Sequence, residues 1–268
     1  MAPGEIACVC GIHVTAAEGA RVVRALGRVY GRCHCQGKPR MRAQVGRSAI
    51  LLGGRALSFD EPTFPHVEHA LVVLAVESLR QVALHAAAFV LDRRLFVAVG
   101  RHGAGKTTLA RAAARAGAEV LADDIVLVDA HGRVSGLPRA QLIKGAAGTR
   151  YQPPSTGRTR ASLAGTLVFL ARGRDKVAEN VGLGGLATAQ RLLEQAFTTR
   201  APHARVVATL GALARRCPGQ LLRYREADDA IAFLRDTPAA DDLRRARRQI
   251  ASTRRGGESG GGRVAAPT

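Results

Sequence analysis

Leu95-Phe96-Val97-Ala98-Val99-Gly100-Arg101-His102-Gly103-Ala104-Gly105-Lys106-Thr107-Thr108 decides how the rest of the chain is read. The five apolar residues at its start have the length of a strand buried on both faces. Gly100 to Thr107 then match G-x-x-x-x-G-K-[ST] at every position. Glycines let backbone N–H groups turn inward around an anion. The helix that follows aims the positive end of its dipole at the same place. The Lys106 ammonium reaches the outer phosphates of a bound nucleotide, and the Thr107 hydroxyl can ligate Mg2+. Gly100, Arg101, His102, Gly103, Ala104, Gly105, Lys106, Thr107 and Thr108 are the expected ATP contacts. From the chain's own Gly, Lys and Ser/Thr frequencies, about 0.004 chance matches to this pattern are expected. Lysine is scarce: only Lys38, Lys106, Lys144 and Lys176 occur among 40 Lys+Arg. A slim ammonium fits between phosphates where a planar guanidinium does not.

Lys106 to Ala116 reads as the helix after the loop, stopped by Gly117. Glu119 to Asp129 reads as the next strand and carries Asp123-Asp124 in an otherwise apolar run. Two adjacent carboxylates there are costly unless cations meet them. Neighbouring residues of a regular strand point to opposite faces, so either one Asp faces the loop or the strand ends or bulges at the pair. One can hold Mg2+ while the other takes a proton from a substrate hydroxyl. Upstream, Ala86 to Leu91 is a short strand opened by His85, and Asp92-Arg93-Arg94 is a turn.

Taken together, Leu84-His85-Ala86-Ala87, then Gly100 to Thr108, then Leu121-Ala122-Asp123-Asp124 resemble the catalytic domain of HPr kinase/phosphorylase and its shorter relatives. The resemblance is close over about residues 80 to 145, looser to about 235 and weak before 60. It implies an α/β fold, a P-loop mixed sheet of the phosphoenolpyruvate-carboxykinase/HPr-kinase type. It also implies ATP- and Mg-dependent phosphorylation of a serine on a protein or peptide substrate. Carried over by residue, it makes His85 an active-site histidine, Lys106 the phosphate-binding lysine and Asp124 the base, with Asp123 and Thr107 toward the metal. The family's full-length members assemble as hexamers, so a homo-oligomer is one open reading, and the sequence itself leaves the oligomeric state open. The bifunctional members carry a Glu-[Ile/Val]-Arg-Gly-x-Gly signature downstream. Here Gly136-Leu137-Pro138-Arg139 leads to Lys144-Gly145, and no Glu stands between Glu119 and Glu179. That looks more like the shorter HPr-kinase-like proteins, some of which modify biosynthetic precursor peptides. A small-molecule P-loop kinase and a non-catalytic nucleotide-binding module would use the same loop. Of the two, only a kinase requires Asp124.

Around this centre, residues 1–80 read as a small N-terminal α/β region, 81–236 as the kinase domain and 237–268 as a basic, Gly-rich tail. Ala16 to Val29 has the spacing of an amphipathic helix, and Gly31 to Arg47 reads as loop. Ala49–Leu52 and Arg55–Phe59 flank Gly53-Gly54 as a hairpin, and His66 to Ala83 reads as a buried helix. Past Asp129 the chain is basic and aperiodic to Arg160. Leu163 to Leu170 then reads as strand, and Ala187 to Phe197 and Ala227 to Leu234 as helices.

The chain has 268 residues, 47% hydrophobic and 23% charged, a globular composition that excludes a mainly disordered chain. Net charge is +19, but aromatics are only 4%, so no stacking platform accompanies the charge and nucleic acid is disfavoured as a partner. The apolar run Ala70 to Val76 ends at Glu77, far short of the roughly 20 residues a membrane helix needs. Glu5 precedes any basic residue, so no positive leader is read and a cytoplasmic location is expected. Cys8, Cys10, Cys33, Cys35 and Cys217 are an odd set, which argues against a disulfide framework. One residue within each Cys-x-Cys is tighter than zinc spacing, so these read as small strand residues.

Overall fold

A strand covered on one face alternates apolar and polar residues, whereas a strand covered on both is apolar throughout. Both patterns occur here, in separate sheets. The protein is described from a computed structural model, which covers residues 5–10, 12–16, 20–30, 41–46, 48–58, 63–137, 139, 141–145, 148–152, 160–161, 165–172, 179–197 and 199–237. It is a mixed α/β structure with parallel and antiparallel strand pairs.

The first sheet joins β1 (Glu5–Val9), β2 (Ile12–Ala16), β3 (Met41–Val45), β4 (Ala49–Leu52) and β5 (Arg55–Ser58) in that order. β2 and β3 are parallel, with α1 (Ala20–Tyr30) between them in sequence. Ile12, Val14, Ala43, Val45 and Ile50 pack with Val23 and Leu26 of α1. The expected helix from Ala16 therefore starts later, because Ile12–Ala16 pairs with Met41–Val45. That pairing also corrects the loop reading of 31–47. Ala43 and Val45 turn inward while Arg42 and Gln44 stay outside, the alternation of a strand covered on one face. The hairpin at Gly53-Gly54 is present. Of the cysteines, Cys8 lies in β1 and Cys10 in the turn after it; Cys33 and Cys35 lie outside the described residues.

The helix expected over His66–Ala83 is α2 (Phe64–Ser78), and Val82-Ala83 instead begin β6 (Val82–Leu91). α2 is apolar nearly all round because two cores share it. Val67, Leu71, Leu74 and Ala75 join the first sheet's core, while Val72 and Val76 meet Ala83, Ile125, Leu127 and Leu137. The boundary drawn at residue 80 thus separates a helix from a sheet that it covers.

After β6 come β7 (Arg94–Val99), α3 (Lys106–Arg115), β8 (Glu119–Ala122), β9 (Ile125–Val128) and β10 (Val134–Gly136). β11 (Gln141–Gly145), β12 (Gly148–Gln152), β13 (Arg160–Ala161), β14 (Gly165–Arg172) and β15 (Glu179–Leu183) follow. α4 (Gly185–Leu193), α5 (His203–Arg216), β16 (Gly219–Tyr224) and α6 (Ala227–Asp236) complete the described chain. A nine-stranded sheet runs β13-β10-β9-β6-β7-β14-β16-β15, with β8 also on β6. β7, β14 and β16 are parallel; β6 is antiparallel to β7 and to both β8 and β9. β11 and β12 form a separate hairpin, in a stretch read as aperiodic.

Alternate residues of β7 explain why its run is unbroken. Leu95, Val97 and Val99 face one core, with Leu192 of α4 and Leu210 and Leu213 of α5. Phe96 and Ala98 face the other, with Leu109 and Ala113 of α3 and Ile231 and Leu234 of α6. The β6–β7 turn closes through Asp92 and Arg93, both at positive φ, so Arg94 belongs to the strand and not to the turn. Arg94 donates to the carbonyls of Leu234 and Thr237 and so caps the end of α6. Residues after 237, the basic tail included, lie outside the described residues. Among those described, no helix is long and apolar enough to cross a membrane.

Gly136 shows how tightly this sheet closes. A Cβ there would lie 1.8 Å from the Leu121 carbonyl oxygen. Gly136→Ala is therefore expected to destabilise the fold by about 3 kcal/mol, the upper part of the overpacking range. A urea midpoint unchanged from wild type would contradict that closeness.

Candidate active site

Three chain segments converge because β6 runs antiparallel to β7. Ala86 pairs with Val99, so the first half of β6 lies beside the carboxyl end of β7, where the glycine-rich loop begins. His85 is accordingly inside β6 and not at its start. On the other side, the expected strand Glu119–Asp129 breaks at Asp123-Asp124. β8 pairs with β6 from Ala88 onward, and β9 pairs with it up to His85. The acidic pair bridges the gap, and the Ala86 N–H donates to the Asp124 carbonyl at 3.0 Å. The sequence had left open a break or bulge at this pair, and a break is what forms.

The loop turns through Gly103 (φ 78°) and Gly105 (φ 99°), left-handed conformations that residues with a Cβ rarely adopt. At Gly105 a Cβ would also lie 2.7 Å from the Tyr224 hydroxyl at the end of β16. Lys106, only 6% exposed at the first turn of α3, folds back over the loop. Its Nζ donates to the carbonyls of Gly100 at 2.7 Å and Arg101 at 3.0 Å. Burial lowers its pKa from the usual lysine value, while the Asp124 charge pulls it upward. The Thr107 hydroxyl approaches the Asp123 carbonyl at 3.5 Å, the outer limit of a hydrogen bond. Arg101, His102 and Thr108 stand exposed on the rim.

Both oxygens of Asp124 are engaged. His85 Nε2 donates to Oδ1 at 3.2 Å, and Arg139 donates to Oδ2 through Nη1. Burial pushes the Asp124 carboxyl up, but the His85 hydrogen bond and the charges of Arg139 and Lys106 outweigh it. Asp124 is left below the ordinary carboxylate value. Asp123 goes the other way: burial, reinforced by the Asp124 charge, raises it from 3.8 to about 6. Two neighbouring carboxylates with opposed shifts are the pattern of a divided task.

The sequence did not single out Glu68, Tyr30 or Phe197. Glu68 of α2 is buried and pairs with Arg139. The Tyr30 hydroxyl donates to Glu68 at 2.7 Å. The Phe197 ring lies 5.9 Å from the His85 ring, with His102 at 6.5 Å. Phe197 arrives because residues 195–197 pair with β6: the His85 N–H donates to the Gln195 carbonyl, and the Phe197 N–H to that of Ala83. The signal pointing to Glu68 was a charged residue next to the apolar run from Ala70 to Val76 of α2.

Asp123 and the Thr107 hydroxyl fit a divalent cation bound alongside phosphates. At Asp123 burial and the Asp124 charge outweigh the nearby Arg139 and Arg111 charges, and Mg2+ takes one or two carboxylates plus phosphate oxygens. A raised carboxyl pKa favours folding below about pH 4, and that contribution is lost as pH rises through about 6. Asp123→Asn is therefore expected to stabilise the cation-free protein at pH 7.5 by about 1–3 kcal/mol. The gain should vanish by pH 4. Denaturant titrations of both proteins at the two pH values decide it; equal stability at pH 7.5 would remove the strain attributed to Asp123.

No protein-family model matches this sequence, and no curated protein matches it.

Proposed function

We propose that the protein is an ATP- and Mg-dependent kinase of the HPr-kinase-like type, which phosphorylates a serine on a protein or peptide. Its nine-stranded sheet is read as the P-loop mixed sheet of phosphoenolpyruvate carboxykinase and HPr kinase. The observation that carries this reading is the Asp124 carboxylate, held by His85 and Arg139 beside the glycine-rich loop. A nucleotide-binding module needs the loop and Lys106, but it has no use for a third element of this kind.

In this reading the loop amides and Lys106 hold the outer phosphates and steady the charge that spreads over the transferred group. Asp124 aligns the serine hydroxyl with the γ-phosphorus and accepts its proton late in the reaction. The serine Oγ gains the P–O bond, the bond to the bridging oxygen breaks, and ADP leaves with that oxygen. Asp124 suits this role because its carboxyl stays ionised, and each oxygen keeps a lone pair beyond those used by His85 and Arg139. Asp123 and the Thr107 hydroxyl would hold Mg2+, whose charge offsets that of the phosphates.

The test is transfer of γ-labelled phosphate to serine-containing peptides, to HPr and to small alcohols, with Mg2+ present. Label on peptide or protein serine supports the reading. ATP binding with no peptide or protein labelled ends it, and label on a small alcohol alone moves the assignment to a small-molecule kinase.

A further inference from the structure

Glu68 is the most expensive carboxylate among the described residues to leave unpaired. It is 1% exposed, on a helix whose other buried positions are all apolar. Arg139 meets it side-on, with Nε to Oε1 at 2.9 Å and Nη2 to Oε2 at 3.1 Å. This two-point contact fixes the plane of the guanidinium. The remaining nitrogen, Nη1, then lands on Asp124 Oδ2. The Leu137 N–H donates to the Ile125 carbonyl at 3.1 Å, which anchors the Arg139 segment beside the acidic pair. Glu68 Oε1 also accepts from the Tyr30 hydroxyl. A connected path thus runs from α1 and α2 through Arg139 to Asp124 and His85.

We propose that Glu68 and Arg139 are positioning residues for Asp124: α2 holds the guanidinium, and the guanidinium holds the carboxylate in the orientation that meets the acceptor hydroxyl. The proposal rests on the kinase reading and adds to it. It makes α2 part of the catalytic centre and not only a cover for the sheet. A lysine cannot take the place of Arg139, because a single ammonium cannot present one edge to Glu68 and a third donor to Asp124.

The role differs from a purely structural tie in what it does to turnover. Arg139→Lys is expected to lower kcat by about 10- to 100-fold, the cost of a small misalignment at the reacting atoms, with KM for ATP within about twofold. Glu68→Gln should do the same to a lesser degree. The double variant Glu68→Gln/Arg139→Gln should be no slower than Arg139→Gln alone, because both act through one contact. It should also melt higher than Arg139→Gln, since Glu68 is then no longer a buried carboxylate stripped of its cation. That keeps the test open if Arg139→Gln fails to fold, because the double variant can then be compared with Glu68→Gln. Wild-type kcat in folded Arg139→Lys, or additive losses in the double variant, overturns the proposal. If the wild type transfers no phosphate, the kinase reading falls separately. The clamp is then judged by NMR of the Arg139 side chain. A slowly exchanging Nε–H that becomes fast in Glu68→Gln and shifts in Asp124→Asn supports it, and fast exchange in the wild type overturns it.

Discussion

Replacing Lys106 by alanine is expected to abolish phosphate transfer, lowering it by about 10^3-fold or more, and to weaken ATP binding with it. The loop amides supply partial positive charge only, and Lys106 is the full charge inside the loop. It is also the loop's brace, since Nζ ties the Gly100 and Arg101 carbonyls together across the turn. Arginine should not restore activity. The residue is nearly buried at the first turn of α3, and a planar guanidinium would have to displace the loop it serves. The fold should survive, because the lysine's partners are carbonyls and the apolar contacts of α3 come from Leu109, Ala110, Ala112 and Ala113. Steady-state transfer and ATP titration check this together; activity within tenfold of wild type would sink the loop assignment.

Asp124→Asn should separate binding from chemistry. Nucleotide affinity is expected to stay within a few-fold, while turnover falls by about 10^2- to 10^4-fold, the range for loss of a positioned base. The amide is not a silent replacement. Asp124 accepts from His85 on one oxygen and from Arg139 on the other, so an Asn must turn its NH2 group toward one of these donors. A modest fall in melting temperature should accompany the loss of turnover. Normal turnover in a folded Asp124→Asn protein would mean that another group, or water, takes the proton. The contrast between the two variants is informative in itself: Lys106→Ala loses both functions, and Asp124→Asn only one.

The parts of this molecule legible in its sequence are those where chemistry constrains spacing locally. The run from Leu95 to Thr108 reads as strand, loop and helix and folds as β7, loop and α3. His85 and Asp124 could be assigned by resemblance, and an antiparallel β6 brings them within 3.2 Å of each other. Local pattern failed where apolar residues were continuous. Between Phe64 and Leu91 the chain is apolar at most positions, so periodicity could not mark where the helix ends at Ser78 and the strand begins at Val82. β3 was missed for the opposite reason: basic and Gly/Pro-rich surroundings hid a five-residue alternation. In α5, Val206, Leu210 and Leu213 carry an unbroken helical stripe, but Gly211 beside it lowers the helix propensity of the segment. The Glu68–Arg139 contact joins residues 71 apart in sequence and depends on tertiary packing alone, so no local pattern announces it.

The double coverage by α2 also bears on the order in which the chain can be made. A ribosome releases α2 well before the strand that its second side covers. Val72 and Val76 lack Ile125 and Leu127 until these emerge, roughly 50 residues later, which takes several seconds at about 5–20 residues per second. During that interval the nascent chain carries an apolar helix with half its partners unsynthesised. Slow stretches between α2 and β9 should therefore favour capture by chaperones or aggregation over productive folding, which makes synthesis rate a determinant of yield for this protein.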